Sequence, residues 1–342
     1  MADLDVRTLD DGTTIRFLAP DEGGVLGDAI RAAYGDSYDA AWVYDSAEVG
    51  ARIADGRLIS CVGLTATGEL LGHAALSRSS AGAAVGEAGQ AVTLPAARGH
   101  HLFTAIKRHL ADRATADGMV GMFSEATTAH PYSERANVEL GAHEAGFLLG
   151  WIPATVANNA AADRSGRQSA ALFYLKLNDG HDRPLYAPDR HREITERIVI
   201  TCGLRGRVAE AADDLELPAR STTKVTLRDD HNLAILSVDV PGADLADVAA
   251  AIRADLFGRG LDALYVDLPL DRPETEVAGE ALEEHGFSFA GLFPNMDVAG
   301  DVLRLQSLNA VTIDAAGIAS ASDHGRDLLA YVLADHERVN LG

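Results

Sequence analysis

The stretch Val92-Thr-Leu-Pro-Ala-Ala-Arg98-Gly99-His100-His101-Leu102 joins an apolar run to a helical pattern through a short glycine turn. Residues 88–94 read as a buried strand, which Pro95 ends. Residues 101–116 then place Leu102, Ile106 and Leu110 on one helical face, with Lys107, Arg108 and Arg113 off it. A strand that turns straight into a helix aims unpaired backbone N–H groups and the positive helix end at one point. Such a point suits a pyrophosphate. Gly99 removes the Cβ that would block close approach, and Arg98 adds a positive charge at the same turn.

Outward from this turn, residues 57–64 and 70–76 read as strands joined by Thr65-Ala-Thr-Gly-Glu69, a hairpin with Gly68 where positive φ is needed. Two helical stretches precede them, within 17–34 and over 46–53. After the 101–116 helix come a strand at 119–123, a short helix at 133–140 capped by Ser133, and strands at 143–150 and 168–177. Residues 154–167 are rich in Ala, Asn and Asp and read as a loop; 178–188, with two prolines, reads as a connection.

Past a helix at 189–200 the order recurs. Strands are expected at 223–227 and 233–240, a helix at 245–256, a strand at 264–268, a helix at 274–285, and strands at 287–293 and 302–308. A helix at 326–339 closes the chain. The repeated strand–helix–strand–helix–strand order points to an internal duplication, with domains at 1–178 and 179–342. A length of 342 residues suits two domains, and the expected class is α/β (α+β): two mixed β-sheet domains with flanking helices.

The hairpin with Gly68-Glu-Leu-Leu-Gly72, the Pro95…Arg98-Gly99 loop with its helix, and the helix–Gly141–strand finish resemble the GNAT family of N-acetyltransferases over about 57–153. Ala281-Leu-Glu-Glu-His-Gly286-Phe287 looks like the end of that family's fourth helix, so the whole chain resembles a tandem GNAT protein with a degenerate second half. The resemblance implies an acyltransferase that passes an acyl group from acetyl-CoA or another acyl-CoA to the amine of a small molecule. It places the donor's pyrophosphate at Leu94, Arg98, Gly99, His100, His101 and Leu102. The loop departs from the family pattern at Ala96 and at His101, where an imidazole stands in place of a small residue. That departure leaves open an aminoacyl-tRNA donor, as in Fem-type tandem relatives, and a non-catalytic binding or regulatory module is a third reading. The second half has Val240-Pro-Gly-Ala-Asp-Leu-Ala and no Arg-Gly turn, so it is expected to cover the first and help shape the acceptor pocket.

Amine acylation needs a base for the ammonium and an acid for the departing thiolate. In the family the base is often a carboxylate on the loop-bearing strand or its neighbour, which points to Glu87 and then Glu125. The family's acid is commonly a tyrosine near the fourth helix; that helical position holds none here, but Tyr132 and His130 stand at the helix start. His100 and His101 diverge, His109 cannot complete a compact site with them, His181 and His191 lack partners in sequence, and no H-E-x-x-H or cysteine pair occurs, so no metal is expected. No G-x-S-x-G elbow favours a hydrolase. Arg304 and Gln306, alternating with Leu303 and Leu305, either line the inter-domain cleft or face water, with water the expected side.

Charge narrows the partners. Lys and Arg total 29 against 51 Asp and Glu, a net −22, which repels phosphate backbones and disfavours general nucleic-acid binding. With 47% hydrophobic and 23% charged residues the chain can build cores, which argues against disorder. No apolar run approaches a membrane span, and no export signal opens the sequence. Cys61 and Cys202, without C-x-x-C spacing, read as buried thiols, and the expected compartment is cytoplasmic.

Overall fold

The structure is a computed structural model that describes residues 5–38, 40–97, 101–154, 166–297 and 300–340. The first half contains β1 (Val6–Thr8), β2 (Thr14–Phe17), α1 (Gly24–Tyr34), α2 (Ser46–Ala54), β3 (Leu58–Leu64), β4 (Leu70–Ser77) and β5 (Val85–Thr93). It continues with α3 (Leu102–Ala116), β6 (Gly121–Thr127), α4 (Tyr132–Glu139), β7 (His143–Ile152) and β8 (Gln168–Lys176). The second half has β9 (Pro184–Leu185), α5 (Arg192–Thr201), β10 (Arg207–Val208), β11 (Thr222–Arg228), β12 (Leu233–Val240) and α6 (Leu245–Gly258). Then come β13 (Ala263–Pro269), α7 (Glu274–Glu284), β14 (Ser288–Asp297), β15 (Gly300–Leu308) and α8 (Asp323–Asn340). Gly68 takes φ +86° in the β3–β4 turn, as that hairpin requires. β1 and β2 are additions to the expected set; their short, half-exposed segments carry too little alternation to read.

Thirteen strands form one mixed sheet in the order β1-β2-β3-β4-β5-β6-β8-β7-β14-β15-β13-β12-β11. The duplication is visible in this order. β4-β5-β6-β8-β7 in the first half answers β11-β12-β13-β15-β14 in the second, read inward from opposite ends. In both sets the second and third strands are parallel and the rest antiparallel. Helices α3 and α4 occupy the two connections that α6 and α7 occupy in the second half. α1, α2 and β1–β3 precede the first set, and β9, α5 and β10 precede the second.

The halves meet where β7 and β14 touch at a single register pair, Gly146 with Gly291. A Cβ built on Gly146 would lie 2.5 Å from the Ala290 carbonyl oxygen, and one on Gly291 2.5 Å from the Gly146 Cα. Only glycines let these backbones come so close. Side chains take over where the ladder stops. Gln306 Oε1 accepts from the Leu149 N–H at 2.9 Å, while its Nε2 donates to the Phe289 carbonyl at 3.1 Å. The Tyr265 hydroxyl donates to the Leu149 carbonyl at 2.9 Å. Buried backbone groups that would otherwise go unpaired are thus satisfied across the seam. Gln306 is fully buried in this role and does not face water as its strand alternation suggested. Replacing Gly146 with alanine should lower stability by about 2 kcal/mol through overpacking. Denaturant unfolding measures it, and an unchanged midpoint would show that the seam has slack.

Candidate functional site

The parallel pair β5–β6 holds together for only three register pairs, from Val85–Gly121 to Glu87–Phe123. The equivalent pair β12–β13 runs for five, from Leu233–Ala263 to Ser237–Asp267. β5 and β6 both continue after they part, so a wedge opens in the sheet directly beyond Glu87. A bulge widens it: Gly89 pairs with Ala75 but Val92 pairs with His73, so Gln90 and Ala91 face Ala74 alone. Gln90 takes φ +45° there. The buried His73 ring holds this kink, with Nδ1 2.8 Å from the Gln90 carbonyl oxygen and Nε2 2.6 Å from Ser60 Oγ. Burial drives the His73 pKa down to about 4. The neutral ring therefore donates from Nδ1 to the carbonyl and accepts the serine hydroxyl at Nε2.

The wedge holds a cavity of about 470 Å³. Residues 88–91 and 124–127 form its strand walls, and Tyr34, Tyr38 and Trp42 form an aromatic rim. The second half supplies the remaining wall through Arg228, Asp230 and His231 of the β11–β12 turn, with Ile235, Phe293 and Arg304. Phe123 and Phe293 meet edge to face at 5.7 Å across the junction.

Side chains alternate across a strand, so the cavity has two chemically distinct sides. Ser124 points to the α3–α4 face, where its Oγ contacts Lys107 and Asn137. Glu125 points to the opposite face. There burial raises its pKa above the ordinary carboxylate value, against the pull of Arg304, Arg228 and His231 and a hydrogen bond from Trp151. Arg304 is held by both oxygens of Asp267, at 2.6 and 2.8 Å, and lies 4.1 Å over the Phe293 ring. Of the two sides its alternation left open, Arg304 takes the cleft and not water: it is buried in the cavity wall, held by Asp267 of the neighbouring β13. Glu87 and Glu125 both act on the Arg228 guanidinium, which is also paired with Asp230 at 3.3 Å.

The structure brings Glu87 and Glu125 together on this cavity. Tyr132 and His130 stand outside its lining, their rings 5.2 Å apart, and Tyr132 is 69% exposed. Burial lowers the His130 pKa. Of the loop residues, Arg98, Gly99 and His100 lie outside the described residues. The Leu94 N–H donates to the Leu71 carbonyl at 2.9 Å, tying the end of β5 to β4. His101 caps α3 at φ +54°, with its side chain 82% exposed and 4.0 Å from Glu139. Leu102 is buried against Gly63 and Gly72, so it seats the helix on β3 and β4. At the corresponding turn of the second half the Asp244 carboxylate accepts from the Ser221 N–H and hydroxyl, at 2.7 and 2.8 Å. An anion of the chain itself therefore stands at the head of α6.

Lys107 differs most from its expected place. Helix α4 closes the flank of α3 that the sequence pattern left to solvent, and Lys107 is 4% exposed. A separate cluster of ligand-type side chains, His191, Glu283 and Asp335, lies within 4.8 Å beside α8. Its cation is a guanidinium: Arg338 bonds Glu283 at 2.5 Å and Asp335 at 2.7 Å, and His191 Nε2 lies 3.0 Å from Glu283. Cys61 and Cys202 are buried and free. No helix among the described residues is long and apolar enough to cross a membrane.

The architecture is mixed α/β, and solved structures of GNAT acetyltransferases match about half of the chain each. A ribosomal-protein-S5-alanine acetyltransferase from Vibrio fischeri is 9% identical, covering 51% of this chain and 97% of its own, with a TM-score of 0.41. A phosphinothricin acetyltransferase of the GNAT superfamily from Sinorhizobium meliloti, in complex with acetyl-CoA, is 21% identical over 49% of this chain and 90% of its own, with a TM-score of 0.40. The spermidine/spermine N-acetyltransferase of Vibrio cholerae is 17% identical over 48% of this chain and 95% of its own, with a TM-score of 0.37. No protein-family model matches the chain, and no curated protein does.

Proposed function

We propose that the protein transfers an acyl group from acyl-CoA to the amine of a small molecule. The observation that supports this most is the wedge between β5 and β6, open through the sheet and carrying Glu87 and Glu125 at its edge. A thioester lying in the wedge would meet the acceptor on the Glu125 side. There Glu125 takes the ammonium proton, directly or through water, and Arg304, Arg228 and His231 set its charge environment, with Glu87 a second carboxylate on the same cavity. The bulged segment of β5 presents backbone amides to polarise the thioester carbonyl. The turn at residues 98–102 takes the pyrophosphate.

Composition of the cavity limits the acceptor. A volume near 470 Å³ suits a small molecule. Carboxylates from both halves (Glu87, Glu125, Asp230) receive an amine, and the aromatic rim receives an apolar or cationic body. On this reading the second half is an acceptor wall with no donor site of its own. An aminoacyl-tRNA donor gains nothing from a net charge of −22. Calorimetric titration with acetyl-CoA, followed by thiol release with a panel of primary amines, tests the proposal. Saturable binding and amine-dependent thiol release are expected. A folded protein that binds no acyl-CoA overturns it.

A further inference from the structure

Lys107 is a buried cation without a counter-ion. Its Nζ donates to Asn137 Oδ1 at 2.5 Å and to Ser124 Oγ at 3.4 Å, and the Phe103 ring centre lies 5.5 Å away. Ser124 also donates to Asn137 Oδ1 at 3.1 Å, which fixes the amide with its oxygen toward both donors. These partners, from β6, α4 and α3 itself, are all neutral, and none of the described carboxylates is within ion-pair distance of Lys107. The charged groups Glu87, Glu125 and Arg304 line other parts of the same cavity. An ammonium has three N–H bonds, so one remains for the cavity that Lys107 lines. Burying a charge among neutral groups is costly, and an arrangement of this kind is productive where negative charge develops close by.

Position identifies that charge. Lys107 lies little more than one turn inside α3, the helix that follows the turn proposed to hold the pyrophosphate. Glu125 lies on the other face of β6. A donor that enters along α3 and meets its acceptor through the wedge therefore leaves its sulfur on the Lys107 side. We propose that Lys107 is the acid that returns a proton to the departing thiolate, a role that rests on the acyl-transfer reading above. The ammonium's first proton leaves through Glu125 to water. The neutral amine nitrogen then forms its bond to the acyl carbon and gives its second proton to Glu125, the C–S bond breaks with its electron pair going to sulfur, and an Nζ–H proton passes to sulfur. Lys107 is left as a neutral amine, Glu125 holds the acceptor's proton, and both re-equilibrate with water. The products are an amide and CoA with a free thiol. Burial alone lowers the Lys107 pKa to about 8, which makes proton release feasible near neutrality. Asn137 and Ser124 are positioning residues that aim Nζ.

The test uses CoA itself and the variants Lys107→Met and Lys107→Arg. Thiolate absorbance of CoA bound to the full-length protein is titrated against pH, with desulfo-CoA as the blank. Bound CoA is expected to ionise about one pH unit lower on the wild type than in solution, a tenfold effect, and the shift should vanish in Lys107→Met. In steady state, Lys107→Met should lose about 100-fold in kcat with the acceptor KM unchanged. The wild-type kcat should fall as pH rises through about 8, because the acid must be protonated. Lys107→Arg keeps the charge but resists deprotonation, so it should bind CoA normally, keep the thiol shift and still lose kcat; it serves if the methionine variant does not fold. CoA that binds with an unshifted thiol overturns the Lys107 role alone. A raised acceptor KM at constant kcat also overturns it, by making Lys107 a carboxylate clamp. Failure of CoA to bind the wild type instead removes the acyl-transfer reading.

Discussion

Glu125→Gln is expected to lower turnover about 100- to 1000-fold while leaving acetyl-CoA affinity unchanged. Glutamine preserves the side chain's shape and can still accept from Trp151, so the loss reads the proton-accepting role and not packing. On the proposed reading Glu125 lies across the wedge from the donor, which is why its removal should spare donor binding. The pH dependence carries a sign that can be checked. A base must be ionised to act, and burial has raised the Glu125 pKa above its ordinary 4.5 despite the nearby guanidiniums. Wild-type turnover should therefore fall, as pH is lowered, at a higher pH than an ordinary glutamate would give. Glu87→Gln should cost less, about tenfold, because on the proposed reading Glu125 takes the proton and Glu87 contributes through its charge, which also reaches Arg228. Equal activity of Glu125→Gln and wild type at neutral pH would return Glu125 to a wall residue.

The element order and two carboxylates of the cavity wall are legible in the sequence, and what is not legible has a physical cause. Glu87 and Glu125 come from the family resemblance, which points to a carboxylate on the loop-bearing strand or its neighbour, and both line the cavity. The repeat could be read because helix and strand periods differ. Lys107 and Arg304 could not be placed. Both lie on elements whose periodicity predicts a solvated charge, and both are buried by partners distant in sequence: α4 for Lys107, and β13 with its Asp267 for Arg304. The burial of Gln306 has the same cause, since its partners Leu149 and Phe147 belong to the other half. The bulge at Gln90 and the early parting of β5 from β6 depend on the His73 ring, whose anchoring carbonyl is 17 residues away along the chain. No local pattern announces a neutral histidine used as a strut.

The largest expected effect on stability lies outside the cavity, at Glu134 on α4. Glu134 is fully buried, and its pKa is raised to about 8, first by burial and then by the Glu144 carboxylate of β7, with the Ala321 N–H pulling the other way. Glu144 is itself held by Ser322 Oγ at 2.8 Å and Ser320 Oγ at 3.3 Å, and its carbonyl oxygen lies 2.9 Å from the His324 ring. The pair thus pins the segment that leads into α8 against both α4 and β7. In the unfolded chain Glu134 titrates near 4.5, so between there and about 8 the folded state holds a proton that the unfolded state has lost. Stability must fall across that window as pH rises, by about 3–5 kcal/mol at roughly 1.4 per pH unit, and level off on either side. Glu134→Gln supplies the neutral side chain permanently. It should leave unfolding near pH 4.5 almost unchanged, raise the urea midpoint at pH 8.5, and remove most of the slope between them. A variant with the wild-type slope would place the ionised carboxylate of Glu134 in contact with solvent or a cation. In that case the contact between α4 and the start of α8 could not depend on a protonated Glu134.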